Sequence, residues 1–109
     1  MSIKTITAVT ILSAAMMIGQ KAQASFLGTV TTTVTNAGSE NNGAQVEVGI
    51  GSNPDNCSYT AVYFVNSAEL GRALAIALAS RLSGRNVRVD YTQPGGTGTT
   101  CIGTNIYLQ

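Results

Sequence analysis

From residue 28 onward the chain alternates between runs of strict two-residue periodicity and short polar breaks. In residues 28–36 (GTVTTTVTN), Val30, Thr32 and Val34 fall on one side, and Thr29, Thr31, Thr33 and Thr35 on the other. Successive side chains of a strand point to opposite faces, so this run predicts a β-branched strand with a polar outer side. Residues 36–43 (NAGSENNG) are turn-formers without periodicity. Residues 44–50 resume the alternation, with Val46, Val48 and Ile50 inward and Gln45 and Glu47 outward. A hairpin across the polar break is expected. The next break, residues 51–56 (GSNPDN), contains Pro54, which has no backbone donor to give a ladder. Residues 57–65 (CSYTAVYFV) are partly apolar on both sides, which predicts a central third strand covered by a helix.

The period then changes. Leu70, Leu74, Leu78 and Leu82 follow one another at i, i+4 spacing with Ala73 and Ala77 beside them, so the pattern predicts a helix with one continuous apolar face. Leu74 and Leu78 are expected at the centre of the core, under the third strand. Asn66 followed by Glu69 three positions later has the form of a capping box, and Gly84 supplies the left-handed stop. Val87, Val89 and Tyr91 alternate with Arg88 and Asp90 as a fourth strand. Residues 92–99 (TQPGGTGT) form a Gly-rich loop, and residues 100–108 close the chain as a fifth strand with Cys101 near its start. The expected class is mainly β, with element order β-β-β-α-β-β. That is the order of a small five-stranded OB-like barrel with its helix between strands three and four. A sandwich of one sheet and one helix uses the same elements.

The start of the chain reads differently. Lys4 precedes an apolar run, residues 6–18 (ITAVTILSAAMMI), and Ala22-Gln23-Ala24 has the small-x-small form of a cleavage site. Residues 1–24 are therefore expected to be a secretory signal peptide, leaving residues 25–109 as one OB-like domain, periplasmic or secreted. The apolar run is shorter than the ~20 residues a membrane helix needs, so no membrane span is expected after leader removal. Removing the leader takes away Lys4 and Lys21. Arg72, Arg81, Arg85 and Arg88 then stand against Glu40, Glu47, Asp55, Glu69 and Asp90, a balance of one negative charge. Such a chain has no basic field for nucleic acid or an acidic membrane surface.

Cys57 and Cys101 are the only cysteines, and an exported chain meets an oxidising compartment. A bridge between them closes a loop of about 45 residues and contributes up to roughly 4 kcal/mol. A redox or metal role fits poorly, because there is no CxxC and no histidine. The missing histidine also excludes a Ser-His-Asp triad, a Cys-His pair and imidazole ligation. The carboxylates are scattered, and none suggests a glycosidase pair. No enzyme, metal or cofactor is expected. Gly95-Gly96-Thr97-Gly98 lacks the lysine and the following helix of a phosphate loop. Asn56-Cys57-Ser58 has the form of a glycosylation sequon, discounted for the disulfide at its centre. Tyr59, Tyr63, Phe64 and Tyr91 either fill the core or form a stacking surface, and a near-neutral chain suits a sugar or protein better than nucleic acid.

Residues 80–96, SRLSGRNVRVDYTQPGG, resemble the corresponding segment of the subtilase-cytotoxin and pertussis-like toxin B subunits: a helix, a Gly turn, a V-R-hydrophobic strand ending in Tyr, then Pro-Gly. Phe26-Leu27-Gly28 with the following Thr/Val strand is similar to their first strand. The resemblance implies an OB-fold, a pentameric ring and binding of sialylated glycans. It puts Tyr91 where the family has a sugar-contacting tyrosine, and Leu27 where the family has a sugar-contacting serine. On that basis Tyr91 is the expected ligand-binding residue, its ring edge and hydroxyl accessible beside the Pro94-Gly95-Gly96 loop. Alternation by itself turns Tyr91 inward with Val87 and Val89. The expected function is glycan binding, with a protein partner or a homo-oligomer also open. The alternative is a stand-alone exported protein-interaction domain.

Overall fold

The computed structural model describes residues 26–109. The leader expected over residues 1–24 lies outside them. Six strands and one α-helix follow in the order β1 (Phe26–Thr32), β2 (Val34–Glu40), β3 (Gln45–Ile50), β4 (Ala61–Phe64), α1 (Leu70–Ser83), β5 (Val87–Gln93) and β6 (Cys101–Leu108). They form a single sheet in the order β1-β5-β6-β4-β3-β2. Every pairing is antiparallel except β4 with β6. The protein is mainly β, as the alternation predicts. The sheet is open and six-stranded, however, not a closed five-stranded barrel, and the helix follows the fourth strand.

The difference arises at Thr33, where the long first strand divides. The Thr33 carbonyl accepts from the Gly51 N–H at 3.0 Å, and the Thr32 hydroxyl accepts from the Ser52 N–H at 2.8 Å. The ladder shifts register between Val34 and Asn36. A bulge of this kind bends a strand and turns its continuation away. β1 and β2, consecutive in the chain, therefore lie at opposite edges of the sheet. The polar residues after Asn36 continue β2 as far as Glu40, and residues 41–44 make the turn, with Asn41, Asn42 and Gly43 at positive φ. An edge strand needs little apolar surface, so NAGSE pairs with β3 despite its turn-like composition.

The core lies along one face of the ladder. Val30 pairs with Val89 and Val89 with Ile106; Val48 pairs with Val62 and Val62 with Cys101. All are buried. The disulfide forms as expected, with Cys57 and Cys101 both buried and their Cα atoms 5.4 Å apart. It ties the loop before β4 to the first residue of β6.

α1 ends where Gly84 predicts, at φ 73° with its N–H on the Ser80 carbonyl at 2.9 Å. Its start differs. The Asn66 side chain accepts from the Ala68 N–H at 3.1 Å, but Glu69 pairs with Arg72 at 3.2 Å instead of reaching back. The buried face is also not the leucine row. Ala73, Ala77 and Ser80 point inward, with Leu70, Leu74 and Ile76 packed at their sides. Leu78 is 43% exposed and Leu82 89%. Small residues let the helix axis approach β2, β3 and β6 closely, and a leucine on that face would hold it off. Leu78 thus lies outside the core in which the periodicity placed it. No helix among the described residues is long and apolar enough to cross a membrane.

Candidate functional site

β5 carries Val87, Val89, Tyr91 and Gln93 on its buried face. Tyr91 is 1% exposed, and its hydroxyl donates to the Asp55 carboxylate. Burial, and then the adjacent Asp55, push its phenol well above the ordinary range. Gly28, its ladder partner on β1, makes room for the ring: a Cβ there would lie 2.5 Å from Tyr91 and 2.7 Å from the Asp55 carboxylate. The Gln93 amide donates to the carbonyls of Asp55 and Thr99, at 3.1 Å each. Tyr91 is therefore not accessible beside the Pro94 loop; the inward reading of the alternation holds. Leu27 is 75% exposed, one register step away opposite Thr92. The two positions singled out by the resemblance do not form an open site.

A different cleft lies on the outer face, beside β3, β4 and β6. It is lined by Glu40, Gln45, Tyr59, Tyr63, Val65, Thr100 and Ile102, with a volume of about 370 Å³. The ladder builds its floor. Glu47 pairs with Tyr63 and Tyr63 with Ile102, so their side chains run in a row across three strands. Glu40 pairs with Gln45, which puts Glu40 on the same face as Glu47. The Gln45 amide donates to Glu40 at 3.0 Å. A hydrogen bond to Glu40, with burial and repulsion added, raises the Glu47 carboxyl, while bonds from Glu47 and Gln45 lower that of Glu40. Burial and then the negative charge of the pair raise the Tyr63 phenol.

Tyr59 completes the cleft and is its most unusual member. It is 83% exposed, on a single 3-10 turn at φ 62°, ψ 13°, and Thr60 after it also has positive φ. Non-glycine residues avoid this region. The turn is pinned from several sides. Asn53 donates to the Cys57 carbonyl at 3.0 Å and accepts from the Cys57 N–H at 2.7 Å. The Ser58 N–H reaches the Thr99 carbonyl at 3.1 Å, and the disulfide holds Cys57 itself. The pinned turn therefore presents a largely exposed aromatic ring at the edge of the cleft.

Sequence reasoning missed this turn, because CSYT alternates like a strand and neither Tyr nor Thr signals a left-handed backbone. It also missed the Glu40–Glu47 pair, which appears only when residues 41–44 are read as a tight connection that sets the register. No group of His, Cys, Asp and Glu able to hold a metal occurs among the described residues. The cations lie elsewhere. Arg72 and Arg88 flank the Tyr107 ring at 5.9 and 4.5 Å, Arg81 donates to the carbonyls of Val34 and Thr35, and Arg85 donates to that of Gln109. Compared with protein-family models, curated proteins and solved structures, the chain matches none.

Proposed function

We propose that the protein is an exported binding module that takes a neutral glycan in the Tyr59–Tyr63 cleft. The observation that carries this reading is Tyr59, held outward by a pinned, left-handed turn above a cleft with hydrogen-bonding groups at its edge. Strained backbone of this sort persists where the surroundings over-determine it, and it clusters at ligand sites. A tyrosine ring offers an apolar body to the C–H face of a sugar and a phenol to its hydroxyls. Gln45, Glu40 and Thr100 add acceptors and donors at the rim.

The sialylated glycans implied by the toxin resemblance suit this cleft poorly. No cation lines it, and a sialic-acid carboxylate would approach Glu40. A neutral sugar meets no such repulsion. The likeness to toxin B subunits is a proposal about architecture. Its support is the strand order: with β1 and β2 counted as one bent strand, the ladder runs 1-4-5-3-2-1, so the bent strand supplies both edges, as the shared first strand of an OB-fold would. Export is supported by the buried disulfide.

A glycan array probed with wild type and Tyr59→Ala tests the function. Neutral glycans should bind, sialylated ones should not, and Tyr59→Ala should weaken binding at least about tenfold, or 1.4 kcal/mol. An array on which wild type binds nothing would leave the protein-interaction alternative as the better account.

A further inference from the structure

The outer-face cleft has two unlike sides. Glu40 pairs with Gln45 across the hairpin, and Glu47 opposite Tyr63 fixes the register of β3 with β4. Carried past the end of β4, that register sets Val65 beside Gln45, on the face that Tyr63 shares. Tyr63 pairs in turn with Ile102 on β6. Acceptors therefore stand on β2 and β3, and hydrocarbon on β4 and β6.

The polar side is rich in acceptors and poor in donors. The Gln45 amide already donates to Glu40 at 3.0 Å. The Gln45 carbonyl and the Glu40 carboxylate keep lone pairs to spare, since a carboxylate has about four acceptor sites. A ligand must bring N–H or O–H groups there. The other side asks for the reverse. Val65 is 48% exposed and Ile102 half-buried, and neither carries an atom that pairs with a hydroxyl. A sugar hydroxyl pressed against them gives up water and gains no partner.

We infer that the cleft selects a 2-acetamido sugar, an N-acetylhexosamine, whose acetamido group lies across the boundary between Gln45 and Val65. The inference rests on the reading of the cleft as a sugar site. The acetamido N–H donates to the Glu40 carboxylate, and the methyl covers Val65 and Ile102. The carbonyl accepts from the hydroxyl of Thr100, which lines the cleft two positions before Ile102. The group is neutral, so it meets Glu40 without repulsion, and it carries donor and methyl on one planar unit, as the two sides require. A hexosamine with a free amine brings its donor as an ammonium. That charge loses hydration against Val65 and Ile102 and leaves them uncovered. A plain hexose brings a hydroxyl donor and no methyl. Tyr59 packs on the C–H face in all three cases and does not discriminate.

Chemical-shift titration of the disulfide-bonded protein with glucose, galactose, their 2-acetamido derivatives and their 2-amino forms tests the inference. In at least one of the two configurations the acetamido sugar should bind about fourfold or more tighter than its parent and its amine, the equivalent of one buried methyl. Val65→Asn should bring the ratio of acetamido to parent affinity towards one, and Ile102→Thr should lower it, with circular dichroism checking the fold of each. A parent sugar that binds as tightly as its acetamido form, an amine that binds most tightly, or an acetamido preference that survives both variants would each overturn the inference and leave the sugar reading standing. A wild type that answers to none of these sugars overturns it as well; neutral glycans still bound on the array would then preserve the sugar reading alone.

Discussion

The Tyr91 hydroxyl donates to the carboxylate of Asp55, 36 positions earlier in the chain, and so fastens the loop before Cys57 to the buried face of β5. Gly28 lies across both, too close to carry a side chain. The tyrosine that ends the strand after the helix is thus part of the core, and its phenol satisfies a charged acceptor.

Tyr91→Phe keeps the ring and removes that donor. It should destabilise the protein by about 1.5–3 kcal/mol, the range for a hydrogen bond to a charged group. The pH dependence has a defined sign. The folded phenol titrates above its ordinary value near 10, so the folded state holds its proton where the unfolded state has lost it. The stability linked to Tyr91 is fully present below about pH 10 and falls as pH rises from there towards the raised folded value. Urea midpoints at about pH 8 and about pH 11 should differ less in Tyr91→Phe than in wild type; an equal alkaline loss in both would show that other groups carry it.

The bridge between Cys57 and Cys101 closes a chain separation of 44 and anchors the turn that carries Tyr59. Replacing both cysteines with serine should lower stability by about 2–4 kcal/mol. If the turn depends on the bridge, glycan binding should fall further than global stability requires. Binding measured well below the variant's melting temperature separates the two effects.

The helix makes opposite demands at neighbouring positions. Ala77 is fully buried against the sheet and Leu78 is 43% exposed. Ala77→Leu should cost about 1–3 kcal/mol through overpacking. Leu78→Ala should cost under about 1 kcal/mol, well short of the 2–5 kcal/mol typical of a core leucine. Chemical denaturation of both variants checks the ranking, and a larger loss for Leu78→Ala would return that leucine to the core.

That ranking also marks what the residues could and could not reveal. Period-two alternation located the inward residues of β1, β3 and β5, because a half-buried strand has only two faces to choose between. Gly84 and the cysteine pair were readable for the same reason, each having few physical alternatives. The helix has a continuous range of rotations, and its leucine row was the natural choice of buried face. Close packing on β2, β3 and β6 overrode that row in favour of Ala73 and Ala77. Edge strand β2 was hidden by turn-like composition, since its pairing rests on the backbone. The cleft was invisible for a related reason. Glu40 and Glu47 meet only through hairpin register, and Tyr59 joins the cleft only through a turn that its own residue type disfavours.

Tyr59 offers the sharpest separation of stability from function. Its backbone lies in the left-handed region at φ 62°, and its ring is 83% exposed, so the ring contributes little to the core. A non-glycine residue held there costs roughly 1–2 kcal/mol. Tyr59→Gly relieves that cost, while the extra freedom of glycine in the unfolded chain takes back about 0.5–1 kcal/mol. The variant should therefore be as stable as wild type or more stable by up to about 1.5 kcal/mol. A position that serves only the fold would show no other change. If the cleft holds a sugar, the same variant should lose glycan binding at least about tenfold, so that a gain in unfolding midpoint accompanies a loss of affinity. Calorimetric titration and denaturant unfolding of one preparation give both values. Retained binding in Tyr59→Gly would remove the tyrosine from the site, and a marked loss of stability would mean that the ring supports the turn instead of straining it.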